Sequence, residues 1–96
     1  MAEINQVIHQ PIRLRIMAAL FGVEDGAEVD LTFLRHHLSL TDGNQGAHLE
    51  KLESAGYRAV RKAFVRRKPK TFIRLSRQGR RAFEDYVESL RAVLDV

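Results

Sequence analysis

Cysteine is absent from the 96 residues, proline occurs only twice, and no run approaches the roughly 20 apolar residues that span a membrane. The missing cysteines exclude a disulfide framework and thiolate chemistry. The first residues also lack the basic and then apolar pattern of a signal peptide, so we expect a cytoplasmic protein that does not enter a membrane. The length predicts a single domain over residues 1–96 with one modest core.

Acidic side chains are missing from residues 54–83, which hold eleven basic side chains. Residues 1–53 hold four basic and eight acidic side chains, and residues 84–96 hold one basic and four acidic ones. The net charge of +4 therefore arises in one segment of an otherwise mildly acidic chain. A local basic patch of this kind indicates a binder of polyanions, the alternative being a solvated basic face without a partner.

Motifs of catalysis and metal binding are also missing. The chain has no nucleophile elbow, no phosphate-binding glycine loop and no HExxH pair. His36 and His37 are neighbours, so on a helix they point about 100° apart and do not chelate one ion as an i,i+4 pair does. We expect no enzyme activity, no metal and no cofactor.

Three helices are indicated in the first half of the chain. In "PIRLRIMAALF" the apolar residues Ile12, Ile16 and Leu20 recur every four positions and predict one buried helical face. Asp30 is a predicted N-cap for "LTFLRHHL", and Thr41 for "DGNQGAHLEKLESAG". The loop between the second and third helices is about three residues long, which is typical of a helix-turn-helix unit.

The second half predicts a β-hairpin and a last helix. "YRAVRKAFV" and "TFIRLS" are rich in strand-forming residues, and Arg66–Lys70 is predicted as a turn of about five residues containing Pro69. Because no acidic residue lies nearby in sequence, we expect the basic residues of this turn to lack ionic partners. Ser76 is the predicted cap of a helix over residues 77–94. The expected fold is α+β, mainly α with a small hairpin, in the order helix-helix-helix-hairpin-helix.

A helix-turn-helix followed by a hairpin with a basic tip points to DNA. We expect the third helix to enter the major groove and the hairpin tip to meet the minor groove and phosphates. Asn44 is a candidate for bonding adenine or for a second helix cap, and His48 for donating to guanine or phosphate. The residues assigned to DNA binding are Thr41, Asn44, Ala47, His48, Lys51, Arg66, Arg67, Lys68 and Lys70.

The segments "SLTDGNQGAHLEKLESAGY" and "RRKPKTFIRLSRQGRRAF" carry a family resemblance. Over Pro11 to Leu94 the chain resembles small winged-helix DNA-binding transcriptional regulators related to the MarR and ArsR groups. This resemblance implies a homodimer, usually joined through the terminal helices. The chain departs from the family pattern at Gln45 in the core, at Gly46 and Ala47 on the third helix, and at Ser39 and Arg66 where turn glycines are usual.

The last helix presents a long apolar stripe, which also predicts a two-fold dimer. The residues assigned to dimerisation are Ile4, Val7, Ile8, Phe83, Tyr86, Val87, Leu90, Val93 and Leu94. The alternative is that this helix packs on its own domain.

Two other functions compete with DNA binding. The winged helix is alternatively a protein-interaction module whose basic hairpin binds an acidic partner, because a fold does not fix a function. The third interpretation is an RNA binder, for which Phe64 and Phe72 are the candidate stacking residues.

Overall fold

The computed structural model describes residues 3–95, apart from the side chains of Asp42 and Asn44. The elements in chain order are α1 Pro11–Phe21, β1 Val29–Asp30, α2 Leu31–Leu38, α3 Asp42–Ser54, β2 Arg58–Val65, β3 Lys68–Leu75 and α4 Arg77–Leu94. The predicted order of three helices, a hairpin and a final helix is confirmed, with β1 added. Within residues 3–95, no helix has the length and apolar character needed to cross a membrane.

The short strand β1 was not predicted from the sequence. The sheet is antiparallel with the order β1-β3-β2, and β1 pairs Val29 with Ile73 and Asp30 with Phe72. Asp30 also caps α2 as predicted, because its side chain accepts a hydrogen bond of 2.8 Å from the N–H of Thr32. Asp30 therefore pairs with β3 at the edge of the sheet and also caps α2, which fixes the start of α2 against the hairpin.

The hairpin turn is shorter than the sequence suggested. Val65 pairs with Lys68, so the turn consists of Arg66 and Arg67 alone, and the prediction of a five-residue turn is wrong. Both residues have positive φ, 52° and 66°, as a type I′ turn requires. Pro69 lies in β3 opposite Phe64 rather than in the turn. In an antiparallel hairpin with a two-residue turn, the pair next to the turn, Val65 and Lys68, exchanges backbone hydrogen bonds, and the next pair, Phe64 and Pro69, does not. The N–H that proline lacks is therefore not needed for a hydrogen bond to β2.

The core lies between the helices and the inner face of the sheet. Its buried apolar residues are Ile8, Ile16, Met17, Leu20, Leu34, Leu38, Leu40, Leu49, Leu52, Ile73, Leu75, Phe83 and Tyr86. Three of them, Ile8, Phe83 and Tyr86, were assigned to the dimer interface, and the structure instead buries them within their own chain. The first half of α4 thus packs on its own domain, whereas Val93 and Leu94 near its end are 55% and 73% exposed.

The start of α4 is docked on the backbone that follows α3. Gly56 ends α3 with a positive φ of 79°, a conformation that favours glycine at a helix C-terminus. The N–H of Ser76 donates to the carbonyl of Tyr57 at 3.0 Å, and its hydroxyl donates to the carbonyl of Gly56 at 2.6 Å. That hydroxyl also accepts from the N–H of Gly79 at 2.9 Å, which completes the predicted cap. A Cβ on Gly79 would lie 2.0 Å from the carbonyl oxygen of Tyr57, so glycine is required there.

We predict that Gly79→Ala lowers the free energy of unfolding by at least about 2 kcal/mol, because the added methyl group collides with backbone that cannot rotate away. Gly46→Ala is the matched control, since nothing lies within 4 Å of its added Cβ in α3. Replacing this helical glycine raises the free energy of unfolding by about 0.5–1 kcal/mol. Urea denaturation measures both changes. Equal stability of the two variants would show that α4 does not approach Tyr57 this closely.

Candidate nucleic-acid interface

The described side chains on the outer face of α3 are mostly small. Its exposed residues are Gly43, Gly46, Ala47, Glu50, Lys51 and Ser54. Ala47 and Lys51 lie there as predicted, whereas the side chain of Asn44 lies outside the described residues. Glu50 lies on the same face and was not among the predicted residues, although its spacing of three residues from Ala47 indicates this position. Of the charged side chains described in α3, Lys51 and Glu50 meet a surface approaching this face, and Glu53 lies at its edge.

The buried side of α3 is joined to α2 through a polar contact. Gln45 is buried where the family usually has an apolar residue, and its side-chain oxygen accepts a hydrogen bond of 2.7 Å from Nε of Arg35. This bond satisfies the amide oxygen away from water and links the two helices of the helix-turn-helix. Thr41 is exposed and directly precedes α3, and its carbonyl accepts from the N–H of Gln45 at 2.9 Å, as a cap residue does. Ser39 ends α2 with a φ of 55°, the left-handed backbone that the usual glycine adopts.

His48 lies at the flank of α3 rather than on its outer face. Its side chain is half-buried, and Nη1 of Arg13 lies 3.2 Å from its Nδ1. Arg13 also donates to the carbonyls of Gln6 and Val7, so the guanidinium is held in this position. Burial, and next the charge of Arg13, lower the pKa of His48 below 6.5. Because Nδ1 faces a donor, the neutral ring carries its proton on Nε2, which makes Nε2 the atom that donates to a ligand.

Acidic residues of β1 and the segment before it neutralise the outer face of the sheet. Arg61 makes a bidentate ion pair with Glu28, with two contacts of 2.9 Å, and its guanidinium lies 4.7 Å from the centre of the Phe72 ring. Lys70 pairs with Asp30 at 3.0 Å. The hydrogen bonds from Arg61 and Lys70 lower the pKa values of the two carboxyl groups. The expectation that the basic residues of the tip lack ionic partners is therefore wrong for Lys70.

Arg58 is a structural residue at the base of the hairpin. Its Nε donates to the carbonyl of Leu49 in α3 at 2.6 Å, and Nη2 pairs with Glu53 at 2.9 Å. Burial lowers the pKa of Arg58, since the charged form loses water contacts. This guanidinium fixes β2 against the third helix.

Among the described residues, three neighbouring cations at the hairpin tip have no acidic partner. Among the described side chains, Arg66, Arg67 and Lys68 are exposed and have no acidic partner, and the same holds for Lys62 in β2. Arg80, by contrast, pairs with Asp25 at 3.0 Å. The exposed face of α3 and this tip together form the candidate interface.

Residues 12–94 match a family model described as a winged helix DNA-binding domain. The chain belongs to this family. The winged-helix domain is 34% identical over 82 residues to an uncharacterized protein of Methanocaldococcus jannaschii, covering 85% of this chain and 86% of that protein. The solved structure of a transcriptional regulator homologue from Pyrococcus horikoshii OT3 matches with a TM-score of 0.84 and 27% identity, covering 95% of this chain and 87% of that one. The predicted winged-helix fold is confirmed, and the β2–β3 hairpin is its wing.

We predict that His48 titrates below 6.5 in the free protein and that Arg13→Met moves its pKa upward, because a neighbouring positive charge is removed. Proton NMR of the imidazole measures both values. A lowered folded pKa means that the contribution of His48 to stability is present above pH 6.5 and is lost as the pH falls through the folded pKa.

Arg15→Met is the control for this titration, since Arg15 lies on the same helix and bonds to the carbonyl of Leu38 instead. It leaves the pKa of His48 unchanged. An identical pKa in the wild type and in Arg13→Met would contradict the contact between Arg13 and Nδ1.

Proposed function

We propose that this winged-helix domain is a sequence-selective double-stranded DNA-binding transcriptional regulator that acts as a homodimer. The observation that carries the proposal is the distribution of free cations. On the strands, Arg58, Arg61 and Lys70 have acidic partners. Arg66, Arg67 and Lys68 stand next to one another without such a partner, at the place where a wing reaches DNA. A bound polyanion relieves the repulsion between these three cations, and the cations in turn neutralise its negative charges.

In this proposal α3 lies in the major groove. Lys51 meets a phosphate, and Nε2–H of His48 donates to guanine or to a phosphate. Asn44 stays a candidate for adenine. Because Gly46 and Ala47 offer little beyond a methyl contact, this helix contributes fewer base contacts than a face with long polar side chains.

The wing supplies most of the affinity. Arg66 and Arg67 enter the minor groove, where the negative potential is strongest when the groove is narrow. Lys68 meets phosphate. Lys70 contributes less, because Asp30 already neutralises its charge at 3.0 Å.

We predict that replacing Arg66 by Asn and Arg67 by Gly weakens binding to all duplexes and makes the fall of log K with log salt less steep by roughly 1.8, about 0.9 for each cation that no longer neutralises a phosphate charge. Asn-Gly is the preferred pair for a type I′ turn, so the same change raises the free energy of unfolding by about 1–2 kcal/mol. Duplex affinity falls while the free energy of unfolding rises. A loss of binding in this variant is therefore not caused by unfolding. Binding to random and genomic duplexes across a salt series, with urea denaturation, measures them.

The control for the wing variant is Arg81→Gln with Arg91→Gln, two exposed arginines of α4 that remove the same net charge. It leaves the salt slope close to that of the wild type. Equal slopes in the two variants would contradict the role of the wing. If the wild type binds no duplex at low salt, the protein-interaction module becomes the better interpretation.

The dimer is proposed through the second half of α4. After the core residues are accounted for, the stripe still offers Val87 and Leu90, which are half-buried, and Val93 and Leu94, which are exposed. A self-complementary two-fold pairing is the commonest closed way to cover such a stripe. Ile4 and Val7 are half-buried and remain candidates for the edge of this interface. A dimer places two recognition helices ~34 Å apart, so the site is a pseudo-palindrome.

We predict that Val93→Glu with Leu94→Glu converts the dimer into a folded monomer, because both side chains are exposed within the chain and buried only between chains. Ala92→Glu is the control, since Ala92 is exposed on the opposite side of the helix from this stripe. Light scattering measures the mass. A monomeric wild type at micromolar concentration, or a double variant that stays dimeric, would contradict the interface.

A further inference from the structure

Phe64 is the most exposed large apolar side chain of the described residues, at 78%. It lies in β2, two residues before the turn, with Pro69 opposite it in β3. Nothing in the described part of the chain covers its ring, although burying a phenylalanine stabilises a protein by about 1.5–3 kcal/mol. An aromatic ring left in water beside a cluster of cations indicates that a partner covers it.

The ring of Phe64 lies on the side of the hairpin that faces the helices. Side chains alternate along a strand, so Phe64 shares a face with Lys62 and Val60, and Pro69 shares it with Thr71 and the buried Ile73. Between this face and α3 runs a groove of about 280 Å³, and a second hollow of about 200 Å³ adjoins Phe64 and Pro69. The two cavities share Lys62 and Thr71, so they form one path from α3 to the tip.

This path fits a sugar-phosphate strand of duplex DNA. Its middle carries the unpaired ammonium of Lys62 and the hydroxyl of Thr71, which are phosphate ligands. One end lies beside α3, at the major groove, and the other lies at the cations of the tip, at the minor groove. A strand that follows the path brings the bases of the minor groove to Phe64 and Pro69. Both residue types occur in other proteins as apolar wedges between base pairs.

We propose that Phe64, supported by Pro69, is a wedge that enters the minor groove next to Arg66 and Arg67, unstacks one base step and bends the duplex. This inference rests on the proposed DNA-binding function and adds a source of sequence selectivity. Unstacking is easiest at pyrimidine–purine steps such as TA and CA. The wing therefore favours these steps at the point it contacts, which gives selectivity to a protein whose α3 has few side chains to contact bases.

The chain contains no tryptophan, so a single tryptophan at the wedge reports on its surroundings. We compare Phe64→Trp with Phe33→Trp, since Phe33 is a second exposed phenylalanine, at 61%, that lies in α2 and stacks on His37. On adding duplex DNA, the emission of the Phe64→Trp protein is quenched by stacking on bases, and that of the Phe33→Trp protein is unchanged. Equal responses would overturn the proposal.

The second test measures affinity and shape. Phe64→Ala weakens duplex binding by roughly 5- to 150-fold, the equivalent of about 1–3 kcal/mol for one base–aromatic stack, without changing the salt slope. The wild type bends an end-labelled duplex by an angle on the order of 20–90°, measured by energy transfer, and the variant does not. The wild type binds a duplex with a TA step at the wing more tightly than one with a GG step there, and Phe64→Ala binds the two duplexes equally. Phe64→Thr, which keeps a strand-forming residue, gives the same result if the hairpin itself is unchanged.

The outcomes separate the wedge from the proposed function. Tight duplex binding that is unbent and unaffected by Phe64→Ala overturns the wedge and leaves the DNA-binding function intact. Equal losses on single-stranded and duplex DNA, with no bend, overturn it in favour of stacking on an unpaired base. A change of oligomeric state in Phe64→Ala assigns the ring to a protein contact and also overturns it. Absence of any duplex binding by the wild type overturns both proposals.

Discussion

The approach of Gly79 to the backbone of Tyr57 controls the relative position of four elements. Gly56 and Tyr57 join α3 to β2, and Ser76 joins β3 to α4, so α3, both hairpin strands and the last helix meet at this contact. Backbone packs against backbone there with no side chain between, which leaves little freedom for one element to shift. The angle between α3 and the wing, which decides whether both reach one duplex, is set at this point. Arg58 reinforces it by bonding β2 to the carbonyl of Leu49.

A second constraint is electrostatic. Three carboxylates of the segment before α2, those of Asp25, Glu28 and Asp30, pair with Arg80, Arg61 and Lys70 of the basic segment. Exposed pairs of this kind add little stability individually. Their effect is on the distribution of charge, because two of the pairs neutralise Arg61 and Lys70 on the sheet, while Arg66, Arg67 and Lys68 at the tip keep their charge. The wing is thus a point of high positive potential on a nearly neutral body.

Elements governed by local chemistry could be predicted from the sequence, and contacts between distant residues could not. The helices followed from apolar spacing and from caps such as Asp30 and Ser76. The turn did not, because Arg66 and Arg67 lack the Asn or Gly signature of a type I′ turn and Pro69 falsely suggested a longer loop. The strand β1 is too short to show alternation.

The same limit applies to the site. The outer face of α3 and the basic tip follow from helical spacing and charge. The partners of His48 and Lys70 lie 35 and 40 residues away in sequence, and only the fold brings them together. The apolar stripe of α4 was recognised correctly, but periodicity does not say which neighbour covers each part of it. For Phe83 and Tyr86 that neighbour is the chain's own core.

The left-handed backbone at Arg66 and Arg67 has a consequence for the time-averaged shape of the wing. Each residue costs about 1–2 kcal/mol more than glycine would in this conformation. Local opening of the turn therefore needs far less free energy than global unfolding, and amide hydrogens near the tip exchange with solvent faster than those at the base of the hairpin. In the proposed DNA complex the closed turn holds both guanidinium groups, so the apparent affinity is the affinity of the closed form multiplied by the fraction of molecules in which the turn is closed. Binding and closing of the turn are consequently one coupled equilibrium.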